Sequence, residues 1–290
     1  MTRDVDPSLN RRRLRIALRR AREEAGLTQA DACAALEWSL SKVLRIEAGS
    51  VSLTVTDLRA MLQLYGVTDP ADVADLETAA RGSKGPSWWA HYNDFLHPQF
   101  AQYLGYEGAS HTLLTFHPVL VPALLQTDEY ASALLGSRQA DGSQLRRAVE
   151  LRTTRQERIL DNDEGPETHF VVDESALYRQ VGGADVLRRQ LKELKRRAGD
   201  PRVRLSVLPF AVGALFGSSS PFIVLTFRDD DDLLYLETAM GSLTNRDDLD
   251  LTARYQETFA TMTKLSVRGD DLTALLDARI AALGGDPADD

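Results

Sequence analysis

The sequence predicts an all-α N-terminal domain of five helices followed by a larger α+β domain. Three observations carry this. From residue 10 to residue 80, apolar residues recur at helical spacing between recognisable caps and stops. Beyond residue 88, strand-like stretches at 168–173, 202–208, 221–227 and 233–237 are mixed with further helical segments. Between the two lies RGSKGPS, residues 81–87, rich in Gly, Ser and Pro without apolar periodicity, which reads as a linker. The domains therefore fall at 1–80 and 88–290, and 290 residues suffice for both.

Residues 1–9 read as a loose arm. The first helix is expected from Asn10 to Ala25, with Leu14, Ala17, Leu18 and Ala21 inward and Arg11, Arg12, Arg13, Arg15, Arg19, Arg20 and Arg22 outward. Gly26 ends it. Thr28 caps a short second helix to Leu36, and Asp31 three residues on completes a capping pattern. Trp38 and Ser39 interrupt, and Ser39 caps a third helix to Ala48 that Gly49 stops. Two short helices around a tight turn are the helix-turn-helix signature. Ala32, Leu36, Val43 and Ile46 form the expected inner face, leaving Leu40, Ser41, Lys42, Leu44 and Arg45 directed elsewhere. Thr54 or Thr56 caps a fourth helix to Tyr65, stopped by Gly66, and Asp69-Pro70 opens a fifth to Ala80.

The spacing of Gly26-Leu27-Thr28-Gln29, Ala30-Asp31, Ser39-x-Ser41-Lys42-Val43 and Arg45-Ile46-Glu47-x-Gly49 resembles the XRE-type helix-turn-helix of phage-repressor-like regulators. Glu37 departs from it by standing where a turn glycine is usual. Leu40 and Leu44 depart from it by standing where polar base readers are common. The resemblance implies double-stranded DNA as partner, a homodimer, and a DNA-facing set of Thr28, Gln29, Ser39, Leu40, Ser41, Lys42 and Arg45. Within that set Ser41 and Arg45 would meet base edges, Leu40 a thymine methyl and Gln29 a phosphate. It also implies a structural salt bridge between Arg22 and Glu47.

Charge is divided unevenly along the chain. The net charge is −9, yet residues 1–66 hold 11 Lys and Arg against 8 Asp and Glu, and the remainder holds 23 against 35. A basic head on an acidic body suits a DNA reader whose second domain meets other partners. No apolar run approaches a membrane span and the start is charged, so a cytoplasmic protein is expected. The single cysteine, Cys33, excludes an internal disulfide and reads as a small buried hydrophobe.

In the second domain the residues predict helices over 99–115, 123–135, 143–160, 249–264 and 270–283, with a further helix over 174–197 interrupted at Gly182-Gly183. His117 to Pro122 reads as extended, because each proline restricts its predecessor. The clustered aromatics from Trp88 onward read as core.

Residues 118–130, PVLVPALLQTDEY, resemble a domain found behind XRE heads in actinobacterial regulators of the WhiJ-like, antitoxin-like group. Asp173-Glu174-x-Ala176-Leu177, Val181-Gly182-Gly183, Val207-Leu208-Pro209-Phe210-x-x-Gly213 and Tyr235-Leu236-Glu237 extend the match.

No catalytic chemistry is expected. The five histidines lack metal-ligand spacing, and the loop Gly213 to Ser220 has neither a nucleophile elbow nor a phosphate loop. Neither a cofactor nor a metal is called for. The expected function is transcriptional regulation by sequence-specific DNA binding. Two alternatives stay open for the second domain: antitoxin-like capture of a small partner protein with autoregulation, or sensing of a small-molecule effector. Gln126, Tyr130, Phe210 and Phe216 are its candidate contact residues.

Overall fold

The computed structural model describes residues 7–47, 51–137, 141–228, 231–238, 241–245 and 248–284. The stop expected at Gly49, the first six residues of the arm, and Asp229 and Asp230 of the acidic turn lie outside the described residues. The chain divides into two compact units, 1–91 and 92–290.

The first unit holds α1 (Pro7–Glu24), α2 (Gln29–Leu36), α3 (Leu40–Glu47), α4 (Val55–Leu64) and α5 (Pro70–Gly82). Local chemistry sets their limits. The Thr28 hydroxyl accepts from the Asp31 N–H at 3.1 Å while the Asp31 carboxylate accepts the Thr28 N–H at 2.9 Å, closing a reciprocal capping box. Thr54 caps α4 by accepting from the Asp57 N–H at 3.0 Å, and Asp69 caps α5 ahead of Pro70. Leu18, Ala32, Val43, Leu58, Met61 and Ala80 are wholly buried, so all five helices contribute to one core. Truncating Leu18 or Leu58 to Ala would remove about 2–5 kcal/mol of stability.

Several expectations for this unit change. Helix α1 starts at Pro7, and Arg15 and Arg22 of its supposed outer face are buried. Helix α5 continues to Gly82, through the first residues expected as linker. The rest of 81–87 is tied to α1 at two points, where Arg11 donates to the Ser83 carbonyl at 2.8 Å and to the Ser87 hydroxyl at 2.7 Å, while residues 84–86 are exposed. Trp88 and Trp89 also belong to the first unit.

The second unit is built on one mixed six-stranded sheet, comprising β1 (Thr112–His117), β2 (Glu167–Asp173), β3 (Val203–Leu208), β4 (Phe222–Thr226), β5 (Leu233–Thr238) and β6 (Gly241–Asn245). The strand order is β3-β2-β1-β4-β5-β6; β1, β2 and β3 run parallel, and β4, β5 and β6 join antiparallel. Parallel neighbours need long crossovers. The first is supplied by α7 (Asp128–Gly136) and α8 (Gly142–Ile159), the second by α9 (Ala184–Ala198). On one face α10 (Leu249–Leu265) seats Phe259 and Met262 on Phe116, Val171, Phe222, Val224 and Leu234. On the other face lie α6 (Pro98–Ala109), the segment 118–126 and α9, with α11 (Gly269–Ala282) packed against α9. The outer edge of β3 is met by a single bridge between Val207 and Val267.

Two strands depart from expectation. β1 occupies 112–117, where the helix over 99–115 was expected, and that helix ends at Ala109. TLLTFH lies between β2 and β4, so ladder bonds on both sides outweigh its local helical spacing. β6 was not anticipated, since GSLTN is short and rich in turn-forming residues. The helix expected over 123–135 is a single 3₁₀ turn, Ala123–Leu125, followed by α7, whose N-cap is Thr127.

Candidate functional site

Helix α3 is anchored along one side and bare along the other. Val43, Ile46 and Glu47 are buried, whereas Leu40, Ser41, Leu44 and Arg45 are exposed, Leu40 by 51% and Leu44 by 42%. Its start is fixed by the Ser39 hydroxyl, which accepts from the Lys42 N–H at 3.3 Å. The turn before it runs through Glu37 at φ 55°, the left-handed conformation that a side chain rarely adopts. Arg45 has no hydrogen-bond or ion-pair partner among the described residues.

The other end of α3 is held by a buried ion pair. Arg22 donates to both Glu47 oxygens, from Nε at 2.7 Å and from Nη2 at 3.0 Å, and from Nη1 to the Leu27 carbonyl at 2.8 Å. The hydrogen bond that Arg22 donates to Glu47 raises the Arg22 pKa beyond its ordinary value. Gln29 joins this network by donating to Glu47 at 2.9 Å, so one carboxylate ties α1, α2 and α3 together.

The predicted DNA-facing residues thus separate into groups. Leu40, Ser41 and Arg45 share the bare face of α3. Thr28 and Ser39 act as caps. Lys42 turns aside, its ammonium 2.8 Å from Asp57 and 3.5 Å from the centre of the Trp38 ring. Sequence spacing gave no sign of this, because Asp57 lies on the next helix. The arginines of α1 are also largely engaged: Arg13 with Asp75, Arg19 with Glu23 at 2.9 Å and Arg20 with Glu24 at 2.8 Å.

The second unit contains a cavity of about 670 Å³ between the sheet, α6, α8 and the segment 118–126. Gln126 lines it, donating to the Val121 carbonyl at 2.6 Å and accepting from Arg152. Tyr130 is fully buried and its hydroxyl accepts from the Val121 N–H at 3.4 Å, which makes it part of the wall's support. Phe210 and Phe216 lie outside the cavity and are exposed, by 58% and 39%; neither plugs the core. Phe210 faces Tyr178 at 6.0 Å between ring centres, and Phe216 packs on Tyr255 at 5.2 Å under the Arg254 guanidinium.

His117 and Arg155 are the cavity residues that sequence reasoning missed. His117 Nδ1 accepts from the N–H groups of Val119 and Leu120 at 3.3 and 3.0 Å, so the neutral ring carries its hydrogen on Nε2. Burial pulls its pKa down to about 4. Arg155 is clamped by Glu107 at 2.7 and 3.0 Å, and Tyr103 donates to the same carboxylate at 2.8 Å. His117-x-Val119 offered a local signal, since a histidine can accept from the turn that follows it. The partnership of Glu107 and Arg155 spans 48 residues and offered none.

Among the described residues no cluster of His, Cys, Asp or Glu could hold a metal ion, and no helix is long and apolar enough to cross a membrane.

A five-helix head with a bare, rigidly held α3 defines a helix-turn-helix DNA-binding regulator, and a helix-turn-helix domain model matches residues 13–76. Residues 100–278 match a domain of unknown function, DUF5753, over more than half of the chain. The chain belongs to the DUF5753 family. No curated protein and no solved structure matches it.

Proposed function

We propose that this chain is a sequence-specific transcriptional regulator of the XRE type and the WhiJ-like group. It acts as a homodimer in the cytoplasm and catalyses no reaction. The observation that carries the reading is the bare face of α3, with Ser41 and Arg45 one helical turn apart and Leu40 beside them. Arg45, unengaged among the described residues, is available to form a bidentate pair with guanine, while Leu40 meets a thymine methyl. Because the Arg22–Glu47 pair fixes the end of α3, that face enters the groove as a preformed surface. The mildly basic head supplies attraction to phosphate, and the acidic second unit serves regulation.

Titration of a labelled DNA site with the wild-type protein and with Ser41→Ala and Arg45→Ala variants, at several salt concentrations, tests this. The reading expects specific affinity to fall in both variants while a salt-dependent, sequence-independent component persists. Equal discrimination between specific and random DNA by all three proteins would refute it.

The exposed Tyr178–Phe210 pair favours a second, compatible reading: an aromatic contact for a small partner protein, as in the antitoxin-like alternative. This reading expects Phe210→Ala to weaken binding of a purified small protein encoded next to the regulator. Unchanged binding would remove Phe210 from the contact.

A further inference from the structure

The cavity of the second unit is formed inside a single folding unit, and two polar groups on its floor are unspent. Thr115 and His117 alternate with Phe116 along β1, so they look away from the α10 core and into the space beneath α6 and α8. Ile223 pairs with Thr115 across the β1–β4 ladder and continues the same floor. Neither the Thr115 hydroxyl nor His117 Nε2 has a partner among the described residues, and neither is sealed from the cavity as an orphaned buried atom. The walls around them are aromatic and aliphatic, with Phe100, Leu120 and Leu134 among them.

Charge is already balanced there. Arg152 and Arg155 line the cavity, against Glu237 on its wall and Glu107 behind Arg155. An ion entering would lose its hydration with no net opposite charge to receive it. At about 670 Å³ the space lies in the range of small-molecule sites, which run from roughly 300 to 1,000 Å³.

We propose that this cavity is a binding site for an uncharged, predominantly apolar small molecule with a carbonyl or ether oxygen that accepts from His117 Nε2 and the Thr115 hydroxyl. The site stands on the second unit alone; only its effect on DNA rests on the regulator reading above.

Nile red, a neutral dye with one carbonyl and a fluorescence that shifts to the blue in apolar surroundings, is a suitable probe on the full chain. One saturable, blue-shifted site per chain is expected, lost in Ile223→Trp, which fills the floor. His117→Asn keeps a side-chain acceptor for the 119–120 N–H groups but has no Nε2 donor, and Thr115→Val keeps the shape but not the hydroxyl. Each is expected to weaken binding about threefold to tenfold while leaving the circular dichroism spectrum unchanged. An anionic naphthalene sulfonate dye is expected to bind at least tenfold more weakly. Non-saturable fluorescence, or equal affinity in wild type and all three variants, would overturn the site. Tighter binding of the anionic dye would overturn the ligand class. Saturating Nile red that leaves affinity for a selected DNA site unchanged would support the site and refute its regulatory coupling.

Discussion

Arg22 and Glu47 meet fork to fork beneath the helix-turn-helix, at 2.7 and 3.0 Å, with side-chain exposures of only 9% and 4%. Removing one partner strands the other charge in the interior, which costs about 3–5 kcal/mol. Arg22→Ala and Glu47→Ala are each expected to lower stability by that order, read as the shift in urea midpoint of the first transition. The double variant should lose less than the sum of the two. Additive losses would show that the pair acts as two independent residues.

Glu37 holds a left-handed backbone at φ 55° with an exposed side chain. The conformation costs a side-chain-bearing residue about 1–2 kcal/mol, and glycine returns part of the gain through the entropy of the unfolded chain. Glu37→Gly should therefore stabilise the first unit by about 0.5–1 kcal/mol, measured by thermal denaturation, without altering DNA preference. Destabilisation would mean that the Glu37 side chain makes a compensating contact.

Lys42 and Arg45 look equivalent in sequence and differ in the fold. Lys42 is engaged by Asp57 and Trp38, so Lys42→Ala should cost about 1 kcal/mol of stability and leave base preference intact. Arg45→Ala should leave stability unchanged, weaken specific binding by about 1–3 kcal/mol and relax one base position. A competition assay over single-base variants of the DNA site separates them. Exchange of these two phenotypes would reverse the assignment.

Burial holds the His117 pKa at about 4, below its ordinary value of 6.5. The unfolded chain therefore takes up this proton first, and stability falls as pH drops from about 6.5 towards 4, by about 2 kcal/mol at pH 5 from this group. His169 is lowered too, first by burial and then by Arg204, and adds in the same direction. Above pH 7 neither contributes a slope. The second unit of His117→Asn should lose correspondingly less stability between pH 7 and pH 5 in urea titrations. Identical slopes would place the His117 ring in water.

The head was more legible in the sequence than the body for a physical reason. Thr28, Asp31, Thr54 and Asp69 act on backbone within three residues of themselves, so caps and boundaries can be read locally. β1 could not be, because a central strand flanked on both sides loses the polar–apolar alternation that marks a half-exposed one. That Leu40, Ser41 and Arg45 lie on the exposed side of α3 followed from helical spacing. The engagement of Lys42 by Asp57, the clamp of Arg155 by Glu107 and the cavity over Thr115 each join elements distant in the chain, and no local pattern announces them.

The sharpest test of DNA reading by α3 is selection from a randomised duplex library with the 290-residue chain. One sequence with two half-sites about 10–10.5 base pairs apart is expected to be recovered, as a symmetric helix-turn-helix dimer requires. That sequence is expected to be lost when Ser41→Ala and Arg45→Ala are combined in a protein that still folds. No enrichment over the starting library, or the same sequence recovered by the double variant, would contradict it.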